Sequence, residues 1–220
     1  MKIYLLGAGA HARETLCIYE DAGRIKEVAG CLEQPCAQPG RFIHGKPVLD
    51  LNELTRVSGE VRLLSAIGSP LRKNLIARAL ALRSDASFDT IIHPSVVRSE
   101  SVRLGCGVTI AAACVLTCDI EVGDHTILNT GCLVHHDVVI GQLVTLSPRV
   151  TICGRVTIGT GSFLGAGCTV IPGVSIGAGT YIGAGSVVIN DIPANSLAVG
   201  VPAHLVRTGI KVEDMPVGAS

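Results

Sequence analysis

Beyond residue 90 the hydrophobic positions of this chain recur every six residues. Stepping by six from Leu104 to Val188 meets fifteen positions, all of them aliphatic. The position four residues further on, from Val108 to Ile192, is small or β-branched in all fifteen cases, Cys114, Cys132 and Cys168 among them. Glycine follows the aliphatic residue at 105, 123, 141, 159, 165, 177 and 183, as expected where the chain turns sharply and a Cβ would be strained. A fixed period without insertions marks a repeat architecture, in which each unit buries its apolar side only by stacking on its neighbours. Three hexapeptides close one triangular coil with a short strand on each face, and coils stack about 4.8 Å apart as neighbouring strands do. The pattern predicts a left-handed parallel β-helix of five coils, with Ile92-His93-Pro94-Ser95-Val96 starting a sixth. Ile189 to Pro193 breaks the period, so Asn195 to Arg207 is expected to cap the last coil.

The first ninety residues follow other periods. Lys2 to Leu6 is an apolar run with strand character, and Gly7-Ala8-Gly9-Ala10-His11-Ala12 leads into a helical pattern through Leu16, Ile18 and Tyr19. Val28 to Leu32 and Val61 to Ile67 read as further strands, and Leu71 to Leu82 as a second helix. Strands alternating with helices imply a small Rossmann-like parallel sheet, so the chain divides into an α/β domain over 1–90 and a β-helix domain with a C-terminal cap over 91–220.

Composition narrows the function. Lys+Arg and Asp+Glu are 18 each, leaving no net charge and none of the basic excess that nucleic acid or an anionic membrane surface attracts. Hydrophobic residues are 48% and the mean hydropathy is +0.49, yet no run approaches the roughly 18 apolar residues of a spanning helix. Met1 to Gly7 is too short for a secretory leader, which places the expected location in the cytoplasm. Aromatic residues are 3%, Trp is absent and glycines number 26, so the core is built from aliphatic and small side chains. The nine cysteines form no C-x-x-C pair and are expected to be free thiols, with Cys114, Cys132 and Cys168 buried in the inward slot.

Titratable groups are few within the repeat, and His125, His135, His136 and Asp137 stand out. Imidazole is the commonest general base near neutral pH, and an adjacent carboxylate can orient it, so His136-Asp137 is the leading pair. Stacking by eighteen residues puts Cys118 below His136 and Gly154 above it. Gly154 is expected to leave space over the imidazole for a thioester, with its N–H available to an oxyanion. A zinc site is the competing chemistry, but the three histidines lie within one coil, so no metal is expected. At the N-terminus, Gly7-x-Gly9-x-x-Ala12 after a strand resembles a phosphate-binding turn at a helix start, which favours a nucleotide-sugar pocket with His11 facing the ligand.

Six segments together resemble the bacterial sugar acyltransferases of the NeuD/PglD type. They are Gly7 to Ala12, Ala66-Ile67-Gly68-Ser69, Ile92-His93-Pro94-Ser95, Leu128-Asn129-Thr130-Gly131, Val134-His135-His136-Asp137 and Val199-Gly200-Val201-Pro202-Ala203. The resemblance implies a homotrimer with active sites between neighbouring β-helices and acetyl-CoA as co-substrate. It implies His136 as base, Asp137 as the carboxylate that raises its basicity and Asn129 beside the site. Gly9, Ala10 and His11 match the loop that holds the sugar nucleotide, with Glu33, Gln34 and Gly68 on the same pocket. Gly154, Ala166 and Ala184 match positions that meet acetyl-CoA, and Thr145 stands where relatives often carry a cofactor-contacting histidine. The expected reaction is N-acetylation of a nucleotide-linked amino sugar in bacterial surface glycan synthesis. The alternatives are O-acetylation of sialic acid or another sugar, and a non-catalytic regulatory trimer that binds a sugar nucleotide.

Overall fold

The structure, a computed structural model, describes residues 1–36, 38 and 40–211; the last nine residues of the expected 91–220 domain lie outside the described residues. The N-terminal part is one sheet of β1 (Lys2–Leu6), β2 (Val28–Glu33), β3 (Phe42–Ile43), β4 (Lys46–Asp50), β5 (Val61–Ser65) and β6 (Ser87–Phe88). Its order is β3-β4-β2-β1-β5-β6, parallel throughout except for the β3–β4 hairpin. Two helices, α1 (Ala10–Asp21) and α2 (Arg72–Leu82), accompany it. The hairpin breaks the simple alternation of strand and helix. Its turn is His44-Gly45, both at positive φ (44° and 70°), as a two-residue hairpin of this kind requires.

From Ile91 the chain winds into the left-handed parallel β-helix. A first face runs from Ile91–Ile92 to Tyr181–Ile182, a second from Val97–Arg98 to Val187–Val188 and a third from Arg103–Leu104 to Ser175–Ile176. Up to Val188 the strands pair in parallel at an offset of eighteen residues, as Ile127 does with Thr145, and the offset shortens at the cap, where Tyr181 pairs with Leu197. The periodic aliphatic residues fill the interior: from Ile110 to Val188 each is at most 3% exposed, and only Leu104, on the first coil, is half-buried. The inward slot is equally closed, with Cys114, Cys132 and Cys168 at 0% and three of its hydroxyls donating to carbonyls, Thr126 to Gly141 at 2.8 Å, Ser162 to Gly177 at 3.0 Å and Thr180 to Pro193 at 3.0 Å. Ser196–Val199 and His204–Thr208 close the end as an antiparallel hairpin added to the first face.

The glycines that follow the aliphatic positions serve a different purpose from the one expected. Their φ is ordinary; positive φ falls two residues later, at Gly107, Gly161 and Gly179 but also at His125 and Leu143. What these glycines need is room. A Cβ on Gly141 would lie 2.7 Å from the Thr160 nitrogen, and one on Gly165 2.5 Å from that of Ala184. The constraint is close approach of the next coil, not backbone strain.

The sheet domain sits on the first face. The outward residues there, Ile91, Thr109, Ile127 and Thr145, are at most 1% exposed, whereas Val97 on the second face is 64% exposed. At the junction Asp89, itself 4% exposed, accepts from Tyr19 Oη at 2.6 Å and from Arg24 at 3.1 Å.

Candidate active site

His135, His136 and Asp137 lie on the edge between the second and third faces, in the turn from Leu133–Val134 to Val139–Ile140. Asp137 takes the left-handed conformation there, φ 58°, which a short polar side chain tolerates. Its N–H donates to the Cys118 carbonyl below, and the His136 carbonyl accepts from Arg155 N–H above, so both neighbouring coils clamp the turn. The Asp137 carboxylate lies 2.7 Å from His136 Nδ1, which directs the lone pair of Nε2 outward when Nδ1 carries the proton. Both side chains are about half exposed, 47% and 56%, so a substrate can reach them.

Gly154 does stack on His136, but the space above it is not open. A Cβ at 154 would lie 2.5 Å from both Cε1 and Nε2 of the imidazole, so the ring itself occupies the room that the glycine leaves. The glycine therefore seats the imidazole. Its N–H has no partner among the described residues.

The other expected site residues fall in three places. Asn129, Ala166 and Ala184 are on the edge between the first and second faces, across the second face from His136. Asn129 spends its amide on the Leu146 carbonyl at 2.9 Å, while Ala166 and Ala184 are exposed. Thr145 departs from expectation. It is 1% exposed beneath the sheet domain, donates to the Gly68 carbonyl at 2.8 Å and accepts from Arg72 Nη1 at 2.8 Å, so within this chain it meets no cofactor. Gly68 is drawn to the same contact. His125 sits on the third edge against Phe88, ring centroids 4.4 Å apart, and burial, reinforced by Arg72 and opposed by Asp124, lowers its pKa.

In the sheet domain a cleft of about 580 Å³ is lined by Ala8, Gly9, Ala10, Arg13, Arg41, Phe42, Ile43 and His44. Gly9 caps α1 with no side chain over the helix start, leaving the first N–H groups to a ligand. Of the expected pocket residues, Gly9 and Ala10 line the cleft. Glu33 acts from behind, accepting from Arg41 at 2.6 Å while Arg41 also donates to the Ala8 carbonyl at 3.0 Å. Gln34 is exposed outside the lining, and His11 pairs with Glu14 at 3.2 Å, its Nε2 buried without a partner. Arg13, Arg41, Phe42 and His44 were missed by sequence reasoning. The His44-Gly45 turn flanked by Ile43 and Lys46 was the available signal for this hairpin.

An imidazole and carboxylate on a β-helix edge, joined to a sheet domain with a cationic cleft at a helix start, define a coenzyme-dependent acyltransferase class. The bacterial transferase hexapeptide (six repeats) family model matches residues 137–172 and 155–190. GDP-perosamine N-acetyltransferase (PerB) from Caulobacter crescentus, solved with CoA and GDP-perosamine, is 39% identical, with 93% of this chain and 97% of that chain covered and a TM-score of 0.85. The acetyltransferase domain of PglB from Neisseria gonorrhoeae, in complex with acetyl coenzyme A, is 27% identical over 93% of this chain and 98% of that one, TM-score 0.82. WeeI from Acinetobacter baumannii, 23% identical over 94% and 100%, TM-score 0.85, shares the fold. No curated protein sequence matches the chain. The chain belongs to the hexapeptide-repeat sugar acyltransferases of the NeuD/PglD type and is an enzyme of that family.

Proposed function

We propose that this enzyme transfers the acetyl group of acetyl-CoA to the amine of a nucleotide-linked amino sugar, with His136 as general base. The observation that carries the reading is the His136 imidazole, held by Asp137 at 2.7 Å and seated on Gly154, in a chain 39% identical to a GDP-perosamine N-acetyltransferase. In this mechanism the sugar amine attacks the thioester carbonyl while Nε2 of His136 takes its proton. The C–S bond breaks, the CoA thiolate leaves, and the proton passes from His136 to that thiolate. Asp137 stabilises the imidazolium in between, and the unpartnered Gly154 N–H is the candidate donor to the tetrahedral oxyanion.

The cleft chemistry supports the nucleotide half of the substrate. Arg13, Arg41 and the open α1 start suit a diphosphate, and Phe42, 66% exposed at the rim, offers a flat surface to a base.

Assembly as a homotrimer around the second face fits the division of candidates between two edges. The outward residues of that face, from Val97 through Val115, Leu133, Thr151 and Thr169 to Val187, are all uncharged. The first face is covered by the sheet domain, and the third carries Arg103 and Glu121. Three copies meeting on their second faces would bring Asn129, Ala166 and Ala184 of one beside His136, Asp137 and Gly154 of the next, framing an acetyl-CoA site between them. Both substrates are metabolites of the cytoplasm, where synthesis of a surface glycan precursor would draw on them.

The test is thiol release from acetyl-CoA with GDP-, UDP- and dTDP-linked amino sugars, with His136→Ala alongside. Turnover on a nucleotide-linked amine, lost in the variant, is the expected result. Silence across the panel with acetyl-CoA bound would overturn the acceptor assignment.

A further inference from the structure

Arg72 is the largest fully buried side chain among the described residues, at 0% exposure, and none of its side-chain hydrogen-bond acceptors is a carboxylate. It opens α2, yet each of its side-chain hydrogen bonds crosses to the β-helix. Nε donates to the His125 carbonyl at 2.9 Å, Nη2 to the Val144 carbonyl at 2.9 Å and Nη1 to Thr145 Oγ1 at 2.8 Å. The Thr145 hydroxyl then returns to the sheet domain, donating to the Gly68 carbonyl at 2.8 Å. Burial pulls the guanidinium pKa down to about 9, which leaves it charged at neutral pH.

Desolvating an arginine without an acid opposite it is a poor source of net stability. It is a good source of geometry. A planar fork anchored to two successive coils fixes both the height and the rotation of whatever carries it. What it carries leads straight to the cleft. The Gly68 loop continues β5, and Ala66 N–H donates to the Leu6 carbonyl at 2.8 Å. Packing there is so close that a Cβ on Gly7 would lie 2.7 Å from Ile67 Cγ1. Gly7 in turn opens the Ala8-Gly9-Ala10 lining of the cleft. An unbroken set of contacts thus joins Thr145, nine residues along the coil from His136, to the turn that faces the nucleotide.

We propose that Arg72 and Thr145 are positioning residues for acyl transfer: they set the sheet domain over the β-helix, and so fix the span from the nucleotide cleft to His136. The inference rests on the acetyltransferase reading above, since it assigns the span a substrate. A sugar nucleotide bound at one end reaches the base at the other only if the two domains hold one relative placement, and a displacement near 1 Å can cost about a hundredfold in rate.

Thr145→Val tests this, because it keeps the shape while removing the hydroxyl that links Arg72 to Gly68. Nucleoside diphosphate and acetyl-CoA are expected to bind with wild-type Kd while kcat falls at least about tenfold, and Thr145→Ser, which restores the hydroxyl, is expected to recover turnover. Thr145→Val turning over within about twofold of wild type would overturn the proposal. So would a parallel loss of kcat, both affinities and Tm, which is what a purely structural role produces. Amide hydrogen exchange decides the same question without turnover: faster exchange in Thr145→Val confined to residues 66–72 supports the role, and unchanged exchange there overturns it. A wild-type enzyme that acetylates no amino sugar would instead sink the acyl-transfer reading and leave the exchange result to stand for the domain contact.

Discussion

The imidazole of His136 occupies the place that a side chain on Gly154 would fill, with Cε1 and Nε2 each 2.5 Å from the position of the missing Cβ. The glycine one coil above the imidazole is therefore part of its seat, and the two residues form one unit although eighteen positions separate them.

Gly154→Ala should accordingly act on the base rather than on the fold. Its φ lies in the ordinary range, so the backbone accepts alanine, and the half-exposed ring can swing into solvent to make room. We expect Tm close to wild type and a fall in turnover of about a hundredfold or more, the scale of losing an aligned base. Thiol release and thermal melting check this pair of outcomes; wild-type turnover would separate the glycine from the base.

His136→Ala should remove about 10²–10⁴ of the rate and leave assembly intact, since an exposed edge residue adds nothing to the interior. Asp137→Asn should cost less. Asparagine tolerates the left-handed backbone at 137, so the turn survives while the charge that orients the ring and stabilises its protonated form is lost. Turnover ordered wild type, then Asp137→Asn, then His136→Ala is the expected series, and equal losses would show that the imidazole contributes nothing without the carboxylate.

Arg41→Ala is expected to weaken binding of the sugar nucleotide about ten- to a hundredfold, the scale of one charge-assisted hydrogen bond, with the KM for acetyl-CoA unchanged. Glu33→Gln should give a milder version of the same defect, because Glu33 holds Arg41 from behind at 2.6 Å. Initial rates with each substrate varied in turn measure the split; a matching rise in both KM values would remove Arg41 from the nucleotide site.

Acid should loosen the contact between the domains through His125. Burial lowers its folded pKa below the ordinary value of 6.5, so the unfolded chain binds the proton first. Stability is whole above 6.5 and declines as pH falls from there through the folded pKa. The groups facing the ring are Asp124, Arg72 and Phe88; the cost of protonation is chiefly the burial of the cation, which Asp124 opposes and Arg72 adds to. His125→Asn, which suits φ 57°, should flatten the fall in Tm between neutral pH and about pH 5. A wild-type slope retained in the variant would assign the loss to other groups.

The β-helix was readable because its code is local and repeated. The aliphatic slots recur whatever the outward residues are, and a period of six leaves one way to bury them, so Ile152 and Val170 could be placed in the interior without knowing any distant contact. The stacking rule also put Gly154 on His136. It could not say that the ring fills the gap, because that depends on the rotamer. Thr145 shows the opposite limit: its slot points outward, and only the docking of the sheet domain on the first face turned an apparent ligand contact into a buried link to Gly68 and Arg72.

The cleft shows the same division. Gly9 and Ala10 follow from the strand-turn-helix pattern, which is a matter of neighbours in the chain. Arg41 and Phe42 reach Ala8 and Gly9 only because β4 pairs with β2 and carries the hairpin to the end of the sheet. By itself the sequence determined the repeat, its interior and the candidate base with its carboxylate, because all of these are set by spacing along one coil. Which face the first domain covers, what Arg72 holds and which cations line the cleft were decided by tertiary structure alone, since each depends on groups that meet across elements with no fixed separation in the chain.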